Sequence, residues 1–207
     1  MLEPADKYMV LLTTFSVQLD GVWAFYASTC TQIDRLAKHP WEDENLTHSE
    51  NKFRMKALGG LLFSCRRFAK ELSILALAKA LEDLSFEAEQ LGCPKFNVWK
   101  GDELGLRYHR DMRYIRVLAN VIKHSGSRVV DNGEKNNRFL IDKCGVTPGS
   151  EVEYLNIDIP RYVYRIHWFL DQLAAHLTGV EPPQVPKHER RGFTRFRRTI
   201  LPSFVKL

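Results

Sequence analysis

Several signatures of common protein classes are missing from this chain. Its four cysteines form no C-x-x-C pair and no closely spaced Cys/His quartet, so we expect neither a zinc site nor a disulfide framework. The glycine-rich loops of phosphate-binding and nicotinamide enzymes are lacking, as are the H-E-x-x-H and G-x-S-x-G motifs. The sequence therefore predicts no metal and no cofactor.

Long hydrophobic runs are missing too. No apolar stretch approaches the roughly 20 residues that a membrane-spanning helix needs. The first residues also lack the basic and apolar regions of a signal peptide. We therefore expect a soluble, cytoplasmic protein that makes no membrane contact.

What is present is enough apolar material for one sizeable core. Of the 207 residues, 44% are hydrophobic, and they recur at helical spacing in four segments. These segments cover about residues 6–37, 47–91, 102–124 and 160–178. Thr47 with Glu50 three residues later predicts a capping box at the start of the second segment, and Asp102 can cap the third. In the second segment the predicted core stripe includes Leu61, Phe68 and Leu72. The short connections predict a mostly α fold, a four-helix up-and-down bundle.

The pattern changes between residues 127 and 157. Short runs rich in Val, Ile and Phe alternate there with the turn-forming sequences Asp131-Asn132-Gly133 and Pro148-Gly149. We expect a small antiparallel β-hairpin or flap, inserted before the last helix. The predicted helical domain spans residues 1–179, and a basic C-terminal tail occupies residues 180–207.

Most of the positive charge is concentrated in that tail. The net charge is +5, yet residues 187–207 alone hold seven Lys/Arg against one acid, a balance of +6. Aromatic residues interleave with these cations, a pattern in which Arg binds phosphate and Phe stacks on bases. The candidate RNA-binding residues of the tail are Arg190, Arg191, Arg195, Arg197 and Arg198. The alternative is a solvated end, or a short amphipathic helix that packs on the body.

The third predicted helix carries a polar stripe on an otherwise apolar cylinder. At about 100° per residue, six side chains fall within roughly a third of its circumference: His109, Arg113, Arg116, Asn120, Lys123 and His124. Gly126 follows where a left-handed residue would end a helix, which places His124 in the last turn. Arg is the usual phosphate-binding residue, and His can give and take protons near neutral pH. His109 and Arg113 are candidates for RNA binding.

The end of this stripe carries an Asn-x-x-Lys-His motif, formed by Asn120, Lys123 and His124. A motif of this type at the end of a third helix resembles the HEPN superfamily of small helical proteins. Many members are metal-independent ribonucleases of toxin, antiviral-defence and RNA-processing systems. The resemblance covers about residues 6–178. It implies an RNA substrate, a homodimer in which two motifs meet across a two-fold axis, and a partner protein of a defence or toxin system.

The resemblance also implies a reaction. The 2′-hydroxyl of RNA attacks the adjacent phosphorus and leaves a 2′,3′-cyclic phosphate, without a metal. His124 would be the general base or acid, and Asn120 would orient it or a phosphate oxygen. Arg116 and Lys123 would stabilise the charge that grows on the phosphoryl oxygens.

The chain departs from the family pattern at one position. Family members commonly carry an Arg directly before the Asn, whereas Ala119 stands there in this chain. Arg116, one helical turn before Asn120, is the nearby substitute. Two alternatives follow: an endoribonuclease whose site is rebuilt around Arg116, or a catalytically inactive interaction module that uses the stripe and the tail for binding.

A purely structural role for the stripe is a third alternative. Asn120 and His124 can cap the helix end, while Arg113 and Arg116 can pair with carboxylates of the second helix, such as Glu71, Glu82 or Asp83. Asp111 projects towards the apolar side of the third helix, where an unpaired carboxylate is costly. We therefore predict a buried partner for Asp111, such as an Arg.

Overall fold

The computed structural model describes residues 2–38, 41–94 and 104–180, and this part of the chain is mostly helical. Its five α-helices are α1 (Pro4–Ala37), α2 (His48–Gln90), α3 (His109–His124), α4 (Lys135–Arg138) and α5 (Ile159–Thr178). The predicted mostly α class is confirmed. Within the described ranges, no helix combines the length and the apolar character that crossing a bilayer requires.

The four longer helices share one hydrophobic core. α1 packs on α2 and α5, and α3 packs on the same two helices. The hydroxyl of Tyr8 on α1 donates a hydrogen bond to the carboxylate of Asp171 on α5. The largest fully buried side chains come from all four helices and from the segment after α3: Phe15, Leu19, Ile74, Leu81, Met112, Leu118, Leu140 and Phe169. Burying one such side chain stabilises the fold by about 1.5–3 kcal/mol.

The ends of the long helices follow from local residue chemistry. Thr47 and Glu50 form the predicted capping box of α2, in which the Thr47 N–H donates to the Glu50 carboxylate (2.8 Å) and the Glu50 N–H donates to Thr47 Oγ1 (3.3 Å). Asp158 accepts a hydrogen bond from the Arg161 N–H at the start of α5. Left-handed Gly179 (φ 71°) ends that helix.

The predicted core stripe of α2 is wrong in its first half. Leu61, Phe68 and Leu72 are each more than half exposed, and the buried face of α2 begins only at Ala69. Length explains this difference. At 1.5 Å per residue, α2 is about 64 Å long, whereas α3 and α5 are about 24 and 30 Å long. The first part of α2 therefore extends beyond α3 and α5, whereas α1 still lies beside it and Asp34 of α1 pairs with Arg66.

The predicted β-hairpin is also wrong. Lys135–Arg138 forms α4, Phe139–Lys143 forms a π-helical turn, and Val152–Tyr154 forms a 3-10 turn. Within the described residues, β structure is limited to an isolated antiparallel bridge between Arg128 and Glu151. Leu140 is fully buried and Phe139 packs against the core, so tertiary burial outweighs the local β pattern of this segment.

Candidate functional site

α3 carries the predicted stripe, and the residues that flank its first and last turns differ. Left-handed Tyr108 (φ 66°) precedes its first residue, while Asp102, the predicted cap, lies outside the described residues. Its last residue is His124, and left-handed Gly126 (φ 57°) follows as predicted. α4 and the π-helical turn pack against α3. Together with α3, this segment forms two separate depressions along the stripe.

The larger depression has a volume of about 680 Å³ and lies at the first turns of α3, and we call it the N-terminal pocket. Its lining residues come from α3, the π-helical turn with the residue after it, and α5: His109, Arg110, Asp111, Arg113, Tyr114, Phe139, Lys143, Cys144 and Tyr162. Three of these side chains are cationic, three are aromatic rings, and one is a carboxylate. The pocket is therefore both positively charged and suited to stacking.

Aromatic rings position the groups of the N-terminal pocket. The guanidinium of Arg113 lies over the ring of Phe139, with its Cζ atom 4.5 Å from the ring centroid. The rings of Tyr114 and Tyr162 are stacked, with their centroids 5.9 Å apart. Burial raises the pKa of Tyr114 to about 12, and it also raises the pKa of Tyr162 above its ordinary value. Both phenols therefore remain protonated hydrogen-bond donors at neutral pH.

The carboxylate of the N-terminal pocket already has a partner. Asp111 accepts a hydrogen bond from the guanidinium of Arg165 on α5, and both side chains are largely buried. The predicted Arg partner of Asp111 is thus confirmed. Among the described residues, Arg110, Arg113 and Lys143 form no ion pair. These three cations are the charges available to a ligand.

Two further groups line the N-terminal pocket. His109 is buried in its wall, whereas Cys144 reaches the surface. Burial raises the pKa of the Cys144 thiol, although the charge of Arg113 opposes this shift. The thiol is therefore protonated near neutral pH and is a poor nucleophile. This chemistry suits the pocket for binding rather than for covalent catalysis.

The smaller depression has a volume of about 360 Å³ and lies at the last turns of α3, and we call it the C-terminal pocket. It is lined by Asn120, Val121, His124, Ser125, Glu134, Asn136 and Asn137. Asn137 is buried, and two hydrogen bonds fix its side chain in the lining of this pocket. The Asn137 amide N–H donates to Asn132 Oδ1 (3.0 Å), and Asn137 Oδ1 accepts from the Val130 N–H (3.4 Å). In the described part of the chain, its lining includes a His and a carboxylate but no Lys or Arg.

The structure brings together part of the predicted catalytic set. Asn120 and His124 share the C-terminal pocket, whereas Lys123 is exposed but does not line it. Arg116 is partly buried, and its charge interacts with Glu82 of α2; burial lowers the pKa of Arg116 and Glu82 opposes that shift. A carboxylate of α2 was the partner expected for Arg116 in a structural role. Arg116 lines neither of the two pockets.

The position of the family's Arg faces inward in this protein. Ala119 is only 1% exposed and belongs to the hydrophobic core. An Arg at this position would place its charge among apolar side chains, which is costly without a partner. The tail residues predicted to bind RNA lie outside the described residues: Arg190, Arg191, Arg195, Arg197 and Arg198.

Several residues of the N-terminal pocket carry no signal in the sequence that would mark them as part of one site. Arg110 lies about 100° around the helix from His109, outside the stripe. Phe139 and Lys143 were placed within or beside a predicted strand, and Tyr162 lies on another helix. The local sequence gives no signal that joins them, because only the packing of the π-helical turn and α5 against α3 does so.

No protein-family model, curated protein or solved structure matches this chain. The resemblance to the HEPN superfamily therefore rests on the motif of α3. Among the described residues, no group of three or more His, Cys, Asp or Glu side chains could hold a metal ion.

Proposed function

We propose that this protein binds RNA along the polar side of α3, as an RNA-directed protein of the HEPN kind. The N-terminal pocket carries the proposal, since its three cations and three aromatic rings line one depression. Cations bind phosphates and aromatic rings stack on unpaired bases, and proteins hold single-stranded RNA by combining the two. His109 and Arg113, which the sequence predicts as RNA-binding residues, both line this pocket.

The spacing of the two pockets supports a single RNA strand that contacts both. α3 rises about 1.5 Å per residue, so Arg113 and His124 lie about 16 Å apart along its axis. A strand stacked at about 3.4 Å per nucleotide covers this distance with about five nucleotides. The basic tail is a further candidate contact with the same RNA.

Metal-independent cleavage at the C-terminal pocket is the enzymatic form of this proposal. His124 takes the proton of the 2′-hydroxyl as it attacks the phosphorus, or gives a proton to the departing 5′-oxygen, and Asn120 orients the reacting groups. Glu134 lines the same depression and adds a carboxylate to it. Because no Lys or Arg lines it among the described residues, Lys123 from outside the pocket or a second copy of the chain supplies the positive charge.

A catalytically inactive interaction module is the second candidate, and two observations favour it. Ala119 is buried at the position of the family's Arg, and Arg116 interacts with Glu82 instead of lining the C-terminal pocket. In this form the protein holds RNA, or docks on a partner protein of a defence or toxin system, without cutting. The homodimer, the up-and-down helix order and the cytoplasmic location belong to the same proposal.

Cleavage and binding can be tested on one set of samples. Purified protein is incubated with mixed RNA in EDTA, and the wild type is compared with His124→Ala and with Lys56→Gln, an exposed residue of α2 that serves as the control. Cleavage by the wild type and the control that is lost in His124→Ala supports the nuclease. Binding without cleavage supports a module that holds RNA, and the absence of binding contradicts both RNA-directed forms and leaves docking on a partner protein as the remaining role.

A further inference from the structure

We infer that the N-terminal pocket receives the terminal phosphate monoester of an RNA strand. The inference rests on the proposed function for the nature of the ligand, and it adds which part of the RNA this pocket recognises. It concerns Arg110, Arg113 and Lys143 together with the rings that surround them.

The charge of the N-terminal pocket exceeds what a phosphate inside an RNA strand can balance. A phosphate inside an RNA strand carries one negative charge, whereas a terminal phosphate monoester carries about 1.5 to 2 at pH 7. Three cations line the pocket, and they form no ion pair among the described residues. The single carboxylate of the lining, Asp111, is already compensated by Arg165. A doubly charged group matches this surplus better than a singly charged one does.

The lining of the N-terminal pocket comes from several parts of the chain. Residues of α3, of the π-helical turn and of α5 all line the depression. Donors from three parts of the chain can therefore contact several oxygens of one phosphate. A terminal phosphate offers three such oxygens, whereas a phosphate inside a strand offers two, so this lining favours an end over an internal stretch.

Several hydrogen-bond donors of the N-terminal pocket are held in place before a ligand binds. Packing on Phe139 holds the planar guanidinium of Arg113 in place before a ligand arrives, which reduces the entropy lost on binding. The protonated hydroxyls of Tyr114 and Tyr162 belong to stacked rings in the same lining and can donate to phosphate oxygens. A base attached to the phosphate can stack on the exposed part of these aromatic groups.

The C-terminal pocket provides the contrast. It contains Glu134, and no Lys or Arg lines it within the described ranges. A terminal phosphate there would meet a like charge and no compensating cation. Recognition of a strand end is therefore assigned to the first turns of α3 alone.

The test compares RNAs that differ only at their ends. Three fluorescent ten-nucleotide RNAs of one sequence carry a 5′-phosphate, a 3′-phosphate or hydroxyls at both ends, and their affinities for the full chain are measured by anisotropy. We expect one phosphorylated RNA to bind about tenfold more tightly than the hydroxyl RNA, the size of one charge-assisted contact. Adenosine monophosphate is titrated separately, to distinguish a free nucleotide from an RNA end as the source of the phosphate.

Variants then locate the effect. In Arg113→Gln and in Lys143→Gln, the preference for the phosphorylated end should be lost, while the affinity for hydroxyl RNA changes much less. Lys56→Gln removes an equal charge from an exposed site on α2 and should keep the preference. Circular dichroism and thermal unfolding establish that each variant is folded before its affinity is used.

The outcomes separate this inference from the proposed function. Equal binding of all three RNAs overturns the terminal-phosphate inference and leaves RNA binding intact. Absence of binding to every RNA overturns both, and tight binding of the free nucleotide alone assigns the pocket to a small ligand and overturns the RNA end. A preference that survives in both Arg113→Gln and Lys143→Gln also overturns the inference, because the phosphate is then held elsewhere.

Discussion

At its first turns α3 contributes Arg110 and Arg113 to a pocket with aromatic rings, whereas at its last turns it contributes Asn120 and His124 to a pocket with a carboxylate. The segment made of α4 and the π-helical turn helps to form both pockets, since Glu134 lies at its start and Lys143 near its end. The same polar stripe therefore has two chemical characters. What a helix face can bind depends on the residues that pack over it as much as on its own.

The largest effect is expected from removing the cations of the N-terminal pocket. In the double variant Arg110→Gln/Arg113→Gln, affinity for single-stranded RNA that carries the preferred terminal phosphate should fall about a hundredfold, because two charge-assisted phosphate contacts are lost. The dependence of affinity on salt should weaken in parallel, by roughly 0.7 per contact in the logarithmic slope. His124→Ala is the matched change at the other pocket and should alter affinity less than about twofold. Equal losses in both variants would remove the distinction between the two pockets.

The next largest effect is expected from the ion pair between Asp111, which lines the N-terminal pocket, and Arg165. Asp111→Asn leaves Arg165 largely buried without its charge partner, so the free energy of unfolding should fall by about 2 kcal/mol. Asp34→Asn breaks the exposed pair with Arg66 and should cost about 0.5 kcal/mol or less. Urea unfolding at neutral pH measures both. A similar cost for the two variants would mean that the Asp111 pair is no more important than a surface ion pair.

A smaller effect is expected at the end of α3, beside the C-terminal pocket. Gly126→Ala places a Cβ atom on a left-handed residue (φ 57°) and should cost about 1 kcal/mol. Gly59→Ala, within α2 where an added Cβ meets nothing within 4 Å, should instead stabilise the protein by about 0.5–1 kcal/mol. Thermal unfolding shows whether each variant is more or less stable than the wild type. A stabilising Gly126→Ala would show that this turn is not fixed in the left-handed conformation.

The smallest effect concerns the phenol of Tyr114. Its pKa is raised to about 12 in the folded protein, above the ordinary value of 10.0, so the folded state holds this proton more tightly than the unfolded state does. Stability from this group is therefore fully present below pH 10 and is lost as the pH rises towards about 12. At about pH 10.5 the free energy of unfolding that this group has lost is under about 1 kcal/mol. Tyr114→Phe should make the alkaline loss of stability less steep, and an unchanged slope in urea unfolding would contradict the assignment.

Local sequence signals predicted the long helices well. Pro and Gly punctuation, the Thr47–Glu50 box and the apolar spacing placed the ends of α1, α2 and α5 within a few residues of those observed. Asp111 was predicted to need an Arg because a carboxylate on an apolar face has few other solutions. These features depend on residues close in the chain or on one rule of burial.

The remaining features depend on long-range packing. The segment around Phe139 has the composition of a strand, yet burying Leu140 against the core makes it helical. The N-terminal pocket joins Arg113 to Lys143 and Tyr162, and no spacing in the sequence predicts where those partners lie. The exposed first half of α2 was predicted as core because periodicity reveals an apolar face but not whether a neighbour is long enough to cover it.

The contact between α1 and α5 has a consequence for synthesis. Tyr8 and Asp171 are 163 positions apart, so this contact cannot form until α5 has left the ribosome. At about 5–20 residues per second, α1 spends roughly 8–30 s without this helical partner. During that interval part of its apolar face is open to solvent and to other nascent chains. α1 is therefore the segment on which a chaperone would act first.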